Sequence, residues 1–337
     1  MTNYNDFIIE NDVLTKYTGK DTEITIPDGI VNIGDDAFRG CNTLESVILS
    51  NSVNYIGFQA FSACENLQHI TIPESVISIG DLAFLGCSNL PTIKIPASIR
   101  TIGKGAFNRC IKLCNIVVSN NNAFYKDIDG NLYTKDGKTL IQYAVGKDDQ
   151  EFSVPHGTTN IAFQAFGTCI AIKQVIIPDT LESIDDCSFS DCVGLQNIVI
   201  PDSVTSIGNT AFSGCLNLEH ISLSNSILHI SDLMLYKCTS LKEVLIPNSV
   251  KEIGVAAFAQ CESIENITIP QSVIRIGNSA FSDCNKLKYI ELPDSISSIE
   301  AYAFEGCNGL TIIAPIGTYA EYYANRKKSI KFVSKED

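Results

Sequence analysis

A cysteine that returns every 23 residues constrains this chain more than any other feature of its sequence. Eleven cysteines follow this spacing: Cys41, Cys64, Cys87, Cys110, Cys169, Cys192, Cys215, Cys238, Cys261, Cys284 and Cys307. A fixed period of this size is typical of a solenoid, in which each repeat is one turn of a long coil and packs only on its neighbours. The period breaks once, between Cys110 and Cys169, where 36 residues are added to one repeat.

The residues around each cysteine repeat with it. Alignment on the eleven cysteines gives the pattern I-G-x-x-A-F-x-x-C-x-x-L-x-x-I-x-I-P, with Ile eight residues before every cysteine and Phe three residues before ten of them. One such turn cannot close a core alone, so stacked turns must bury each apolar column as a continuous ladder. The I-x-I segment alternates as a strand does. It therefore predicts parallel strands, about 4.8 Å apart, in neighbouring turns.

Two further positions indicate how each turn bends. The proline after I-x-I has no N–H group to continue a ladder, and the glycine after the repeated Ile suits a tight bend. The A-F-x-x-C segment is too short for a full helix, so we predict a helical or 3₁₀ turn with Phe and Cys facing inward. The predicted fold class is a repeat solenoid with a parallel sheet, short helical turns and eleven repeats.

This pattern, at this period, resembles the BspA-like leucine-rich repeat family over roughly residues 20–316. The resemblance implies a leucine-rich-repeat β-solenoid or horseshoe. It also implies a scaffold for adhesion and protein recognition, with host proteins or cell surfaces as partners and a location at the cell surface or outside the cell.

The sequence predicts one continuous domain with a cap at each end. Asn11-Asp12 between two apolar runs indicates a hairpin at the N-terminus, and the Asp-Gly pairs at Asp129 and Asp136 indicate two linked hairpins in the interruption. Thr318 is the predicted N-cap of a short C-terminal helix. The predicted divisions are a cap hairpin (1–30), repeats (31–118), a hairpin insertion (119–154), repeats (155–316) and a helix–strand cap (317–337).

Charge and hydropathy narrow the classes of partner. The net charge of −14 and pI of about 4.7 argue against nucleic acid and anionic membranes. No unbroken apolar run approaches the length of a membrane-spanning helix, so no membrane insertion is expected. The basic cluster near the C-terminus is interpreted as a solvated face of the cap; it comprises Arg326, Lys327, Lys328 and Lys331.

The cysteines bear on the cellular compartment. Eleven of the thirteen occupy one apolar column, where a free thiol behaves as a small hydrophobic group. Neighbouring turns would place their α-carbons about 5 Å apart, which disulfide geometry tolerates, so oxidised pairing stays open. A thiol-rich core nevertheless favours a reducing setting, and residues 1–7 lack the pattern of a secretory signal. These two features favour the cytoplasm, whereas the family resemblance favours the surface. Cys114 and Cys187 lie outside the column and are the candidate exposed thiols.

No motif for catalysis is found in the chain. It lacks GxSxG, HExxH, a P-loop and a Rossmann fingerprint, so we predict a protein without catalytic activity or cofactor. Asp127, Asp129 and Asn131 invite a calcium interpretation. However, Gly130 is wrongly placed for an EF-hand and Lys138 stands where Glu is needed, so no metal site is predicted.

The outward face of the strands is therefore the candidate site. Positions five and seven after each cysteine should point outward, and half of the second column is aliphatic. An exposed apolar patch often marks a binding site; alternatively, β-propensity alone selects these residues, or the insertion covers them. We predict protein binding by a monomer at this face, with an intracellular scaffold or regulatory module as the alternative. The candidate partner-binding residues are Val117, Gln174, Ile176, Asn197, Val199, His220, Glu243, Leu245 and Tyr289.

Overall fold

The computed structural model describes residues 4–335. The chain forms two compact units, one of residues 1–148 and 162–169 and the other of residues 149–161 and 170–337. Outside the N-terminal hairpin, the antiparallel meander and the C-terminal cap, long strands of three or four residues alternate along the chain with short strands of two residues, so that each regular turn of the coil contributes one of each kind. The family of long strands carries the candidate face.

The first unit begins with a 3₁₀ turn at Tyr4–Asp6. Its strands are β1 (Phe7–Glu10), β2 (Val13–Tyr17), β3 (Glu23–Thr25), β4 (Asn32–Ile33), β5 (Ser46–Ile48), β6 (Tyr55–Ile56), β7 (His69–Thr71), β8 (Ser78–Ile79), β9 (Thr92–Ile95), β10 (Thr101–Ile102), β11 (Asn115–Val118), β12 (Tyr125–Ile128), β13 (Asn131–Thr134) and β14 (Thr139–Gln142). Its sheets run β1-β2-β4-β6-β8-β10, β3-β5-β7 and β9-β11, and β12, β13 and β14 form an antiparallel meander.

The second unit continues the same alternation and ends in a helix and a strand. Its elements are β15 (Glu151–Ser153), β16 (Asn160–Ile161), β17 (Gln174–Ile176), β18 (Ser183–Ile184), β19 (Asn197–Val199), β20 (Ser206–Ile207), β21 (His220–Ser222), β22 (His229–Ile230), β23 (Glu243–Leu245), β24 (Glu252–Ile253), β25 (Asn266–Thr268), β26 (Arg275–Ile276), β27 (Tyr289–Glu291), β28 (Ser298–Ile299), β29 (Thr311–Ala314), α1 (Tyr319–Asn325) and β30 (Lys331–Ser334). Its long-strand sheets run β15-β17-β19-β21-β23 and β25-β27-β29-β30.

The register of the parallel strands follows the sequence period. Val47 of β5 lies opposite Ile70 of β7, and Ile267 of β25 lies opposite Ile290 of β27, so the partners are one period apart in each case. Most long strands show the burial pattern exposed–buried–exposed, with the middle residue inside, as at Val244. The chain is thus a parallel-sheet β-solenoid, as the sequence predicted.

Aromatic rings form the second core column. Phe38, Phe61 and Phe84 stack in the first unit with ring centroids 4.8 and 5.4 Å apart. In the second unit Phe258 and Phe281 stack at 5.2 Å with nearly parallel planes. All five rings are completely buried. Each ring packs against the ring one period away, so the column is built by the period itself.

The A-F-x-x-C segments are not helical, which corrects the prediction of a helical or 3₁₀ turn. The N–H of Phe38 donates to the carbonyl of Ala60 in the next turn at 2.7 Å, whereas the N–H of Arg39 donates to Asp36 of its own turn at 3.0 Å. Asp36 and Gly40 have positive φ, at 55° and 71°. Successive amides therefore point alternately to the neighbouring turn and back into their own, a pattern that a helix cannot make. This backbone conformation depends on hydrogen bonds between stacked turns, and the sequence of a single repeat does not reveal them.

The solenoid has about 14 turns and not eleven, because some turns lack the cysteine. Tyr143 lies one period before Phe166 and stacks on it at 5.1 Å. Its N–H donates to the carbonyl of Ala165 at 2.8 Å, as the N–H of Phe does in the other turns. Gly146 takes the place of the cysteine, where a Cβ atom would lie 2.3 Å from the backbone of Lys112. The long gap between cysteines therefore holds two periods and a shorter remainder.

The first and last aromatic rings are covered by terminal elements. Phe7 of β1 packs on Tyr17 of β2 with ring centroids 5.2 Å apart, and the turn between the two strands uses positive φ at Asn11 and Asp12. At the other end, Tyr323 of α1 meets Phe304 edge-on at 6.0 Å. The side chain of Thr318 caps the N-terminus of α1 by accepting from the N–H of Glu321.

The cysteine column is a ladder of free thiols that donate hydrogen bonds. Cys64 Sγ donates to the carbonyl of Phe38 at 3.0 Å, and Cys261 Sγ donates to that of Leu235 at 3.1 Å. Burial raises the pKa of each of these two thiols to about 12. Each thiol therefore stays protonated and ties its own turn to the one before it.

Thiol labelling is expected to follow this burial, because the thiolate is the reactive form. Cys114 is exposed, Cys41 and Cys187 are half-buried, and the other ten cysteines are buried. In the native protein, N-ethylmaleimide should modify Cys114 first and Cys41 and Cys187 more slowly. The ten buried thiols should react only in denaturant. Peptide mass spectrometry at successive times measures the order, and rapid labelling of native Cys261 would contradict the thiol ladder.

Candidate protein-binding face

The long strands present two outward columns on either side of each buried middle residue. In β19, Asn197 and Val199 are exposed and Ile198 between them is buried; in β23, Glu243 and Leu245 are exposed around Val244. The structure thus places the candidate residues of both columns at the surface.

The second unit carries an apolar stretch in the second column. The exposed fractions of Ile176, Val199 and Leu245 are 42%, 66% and 81%. Val199 lies opposite Ser222, and Ser222 lies opposite Leu245, so these residues follow one line across β17, β19, β21 and β23. At about 4.8 Å per strand, the line is roughly 15 Å long. Leu245 is the most exposed large apolar side chain among the described residues of the chain.

Polar candidates line the neighbouring column of the same unit. Gln174, Asn197 and His220 lie opposite one another in register, and His220 is followed by Glu243. All of them are exposed. Tyr289 of β27 is also exposed, at 59%. The column offers polar hydrogen-bonding groups beside the apolar line, the mixture that protein interfaces use.

Charged residues at the start of the long strands pair across turns. Lys242 Nζ lies 2.6 Å from Glu219 Oε2, and this contact lowers the pKa of the Glu219 carboxyl below its ordinary value. A shallow groove of about 350 Å³ adjoins this pair and is lined by Lys242, Glu243, Ser263, Glu265, Asn266 and Lys286. Sequence reasoning singled out Glu243 but missed the lysines, because they lie outside the two columns that it followed.

In the first unit the antiparallel meander flanks the candidate Val117. The N–H of Ile116 donates to the carbonyl of Gly130 at 2.9 Å, and the N–H of Val118 donates to Asp127 Oδ1 at 2.8 Å. Val117 itself keeps 38% exposure. Ile176 and Val199 belong to the other unit, and within the first unit Val117 lies opposite Lys94 of β9 in the outward column.

Two of the three residues that invite a calcium interpretation have structural partners. Asp127 accepts from β11, and the completely buried Asn131 accepts from the N–H of Ala144 at 3.0 Å. Within residues 4–335, no group of three or more His, Cys, Asp or Glu side chains is arranged to hold a metal ion. Over the same range, no helix is long and apolar enough to cross a membrane.

Comparison with known proteins shows what the chain resembles. A family model described as the BspA type leucine rich repeat region matches in six copies over residues 8–132, 147–265 and 251–334. No curated protein matches the chain.

Solved structures of bacterial leucine-rich repeat proteins share the fold. One from Eubacterium ventriosum is 25% identical, with a TM-score of 0.78 over 87% of this chain and 88% of that one. One from Bacteroides ovatus is 28% identical, with a TM-score of 0.59 over 98% and 91%. The pneumococcal vaccine antigen PcpA is 23% identical, with a TM-score of 0.64 over 94% and 80%, and shows likeness of fold alone.

Proposed function

We propose that this chain, which belongs to the BspA-type leucine-rich repeat family, is a non-catalytic scaffold that binds another protein through its long strands. The observation that carries the proposal is the exposed apolar line of Ile176, Val199 and Leu245 in the second unit. Apolar side chains at the centre of a polar surface are typical anchors of protein interfaces. The rigid ladder behind them holds these anchors in place, which lowers the entropy lost on binding.

The neighbouring column supports a protein ligand over a small molecule. The groove beside Glu243 is open to solvent and lined by charged and polar residues, unlike the enclosed apolar pockets that hold small ligands. Asn197, His220 and Glu243 instead provide side-chain donors and acceptors along a line that crosses successive strands. This arrangement suits a partner that lies across several turns and is recognised at several points.

The proposed role is adhesion or recognition of a host protein at the cell surface. It is supported by the family, whose scaffolds serve such recognition. Protease shaving of intact cells of the native organism, followed by mass spectrometry, tests the location. Release of peptides from this chain supports a surface role, whereas an intact chain confined to the cytosolic fraction contradicts it.

An intracellular scaffold is the second candidate, and the thiol ladder favours it. Ten buried free thiols are best preserved in a reducing compartment. The same shaving experiment separates the two candidate functions. Both use the strand face, but one acts at the cell surface and the other inside the cell.

The double variant V199D/L245D is expected to lose partner binding. Each substitution puts a carboxylate where an anchor would be desolvated, and together they should weaken binding at least about 100-fold, or about 2.7 kcal/mol. Each variant is immobilised, and the amount of partner protein that it captures is measured per amount of immobilised chain. Titration with the purified partner then gives the affinity.

The matched control is L228D. Leu228 is 54% exposed in the same unit but precedes the short strand β22, outside the long-strand columns. It should bind as the unmodified protein does. Equal binding by V199D/L245D and the unmodified protein would exclude the apolar line as the site.

A further inference from the structure

The first and last long strands of the coil in the described part of the chain, β3 and β30, each have an edge with no neighbour in their sheets. β3 is the first strand of the sheet β3-β5-β7, and β30 is the last strand of the sheet β25-β27-β29-β30. In the described part of the chain, β3 pairs with β5 on one side and with no strand on the other. Unpaired edges of this kind are templates for a further strand.

The polar groups at each edge follow from the register. Thr22 and Ile26 bond to the β5 side, the first by accepting from Ser46 and the second by donating to Ile48. Alternation therefore turns the main-chain groups of Glu23 and Thr25 towards the open edge. A groove of about 410 Å³ lies beside β3 and is lined by residues of both β3 and β5: Asp21, Thr22, Glu23, Ile24, Thr25, Ser46 and Ile48.

At the β30 edge, alternation along the strand likewise determines which main-chain groups point outward. The N–H groups of Lys331 and Lys335 donate to the β29 side, at the carbonyls of Leu310 and Ala314. Phe332 and Ser334 therefore direct their main-chain groups outward. β30 is largely exposed, with Phe332 half-buried.

The two edges fit each other in one parallel register. If Phe332 lies opposite Ile24, its N–H reaches the carbonyl of Glu23 and its carbonyl accepts from Thr25, which continues the ladder pattern. Phe332 and Ile24 then share the inward column, and Lys331 lies opposite Glu23 in the outward column. Shifting the register by two residues would place the polar Ser334 inside. The register that keeps the apolar Phe332 in the inward column is therefore favoured, and it is the register that places Lys331 opposite Glu23.

The charges around the two edges are of opposite sign. Residues 4–28 carry six acidic and two basic side chains, whereas residues 317–335 carry five basic side chains and one acidic. Opposite charges facing each other across strands stabilise the pairing, and complementary fields speed association.

We propose that a second copy of this chain binds at the β3 edge through its own β30, with Lys331 opposite Glu23. The contact is head-to-tail, so each copy uses one edge of each kind. Caps cover the aromatic columns beside both edges, Phe7 at one and Tyr323 at the other, which confines the contact to the long strands. The association is therefore weak and sensitive to salt, and it replaces the monomer expected from the sequence.

A charge exchange tests this pairing by sedimentation velocity at a series of protein concentrations. E23K and K331E should each weaken association about tenfold, since an opposite-charge pair becomes a like-charge pair. The double variant E23K/K331E should restore it, because every junction then again pairs a lysine with a glutamate, with the two positions exchanged. The matched control E182K reverses another exposed glutamate, away from both edges, and should leave association unchanged.

The dependence of association on salt concentration provides a second test. Association of the unmodified chain should be stronger in about 0.1 M than in about 1 M NaCl, because screening shortens from about 10 Å to about 3 Å and weakens the attraction between the edges. The lower salt is set at about 0.1 M so that the repulsion between two chains of net charge −14 is already largely screened. A chain that stays monomeric at low salt would overturn the proposal. Association that E23K and K331E leave unchanged, or that the double variant fails to restore, would also overturn it. Far-ultraviolet circular dichroism and thermal melts confirm that each variant is folded.

Discussion

Replacement of Phe258 by alanine is expected to lower the free energy of unfolding by about 3–5 kcal/mol. Its ring is completely buried and stacks on Phe281 at 5.2 Å with an angle of 1° between the planes. Strand ladders hold the neighbouring turns at a fixed spacing, so these turns cannot close around the vacated space. The loss is thus the transfer free energy of the ring plus the cost of a cavity.

Urea denaturation followed by circular dichroism measures this loss. The control I274A truncates a side chain that is 44% exposed in the same unit and should cost about 0.5 kcal/mol or less. Leu235 takes the place of Phe in the aromatic column. The variant L235A therefore truncates a second buried side chain of this column, and it should lower the free energy of unfolding by about 2–5 kcal/mol. A loss below about 1 kcal/mol for F258A would mean that the column does not carry the core.

Stability is also expected to fall steeply as the pH rises above about 9. Burial raises the pKa of Cys64 and of Cys261 to about 12, from an ordinary value of 9.0. The folded state therefore keeps protons that the unfolded state loses between these two values. The stabilisation is fully present below pH 9 and is lost as the pH rises towards 12. Each thiol removes about 1.4 kcal/mol per pH unit in this window.

Three other thiols act in the same direction because of burial. Burial also raises the pKa of Cys87, Cys215 and Cys238 well above the ordinary value. The hydrogen bond between Cys284 and Cys307 raises the pKa of Cys284 and lowers that of Cys307, so these two act in opposite directions. The free energy of unfolding should accordingly be nearly constant from about pH 7 to 8.5 and then fall by several kcal/mol per pH unit, which urea midpoints at each pH record.

The variant C64A/C261A separates thiols from other alkaline groups. It should start from a lower stability because of its cavities, but its slope above pH 9 should be shallower by about 3 kcal/mol per pH unit, two protons' worth. An identical slope in this variant and in the unmodified protein would show that the thiols are not the groups responsible.

The sequence was sufficient to predict the coil, because the period fixes which residues stack. Apolar residues that recur with the period can be buried only against copies of themselves, and this predicts the columns of Val47 and Phe61 without any knowledge of the backbone. The family resemblance follows from the same positions. The outward columns were equally predictable, since Asn197 and Val199 simply alternate with Ile198.

The backbone of the turns and the number of turns were not predictable in this way. Positive φ at residues such as Gln59 and Leu82 is imposed by bonds to the adjacent turns, and neither residue type signals it. The turn at Tyr143 carries neither the Phe nor the Cys by which turns were counted. An exposed apolar line can be predicted from sequence, whereas its partner cannot, because the partner's surface is not encoded in this chain.

The presence of Tyr143 and Gly146 in place of the usual Phe and Cys has a consequence for how such a chain can change over evolution. The junctions between turns repeat the same kinds of bonds, so a duplication or deletion of one whole repeat leaves each remaining junction as it was. Changes of any other length break the period and must be absorbed by strands that depart from the regular parallel pairing, as the antiparallel meander before Tyr143 does. The length of such a chain is therefore expected to change by whole repeats. A single turn can also lose its Phe and Cys and still remain as one turn of the solenoid.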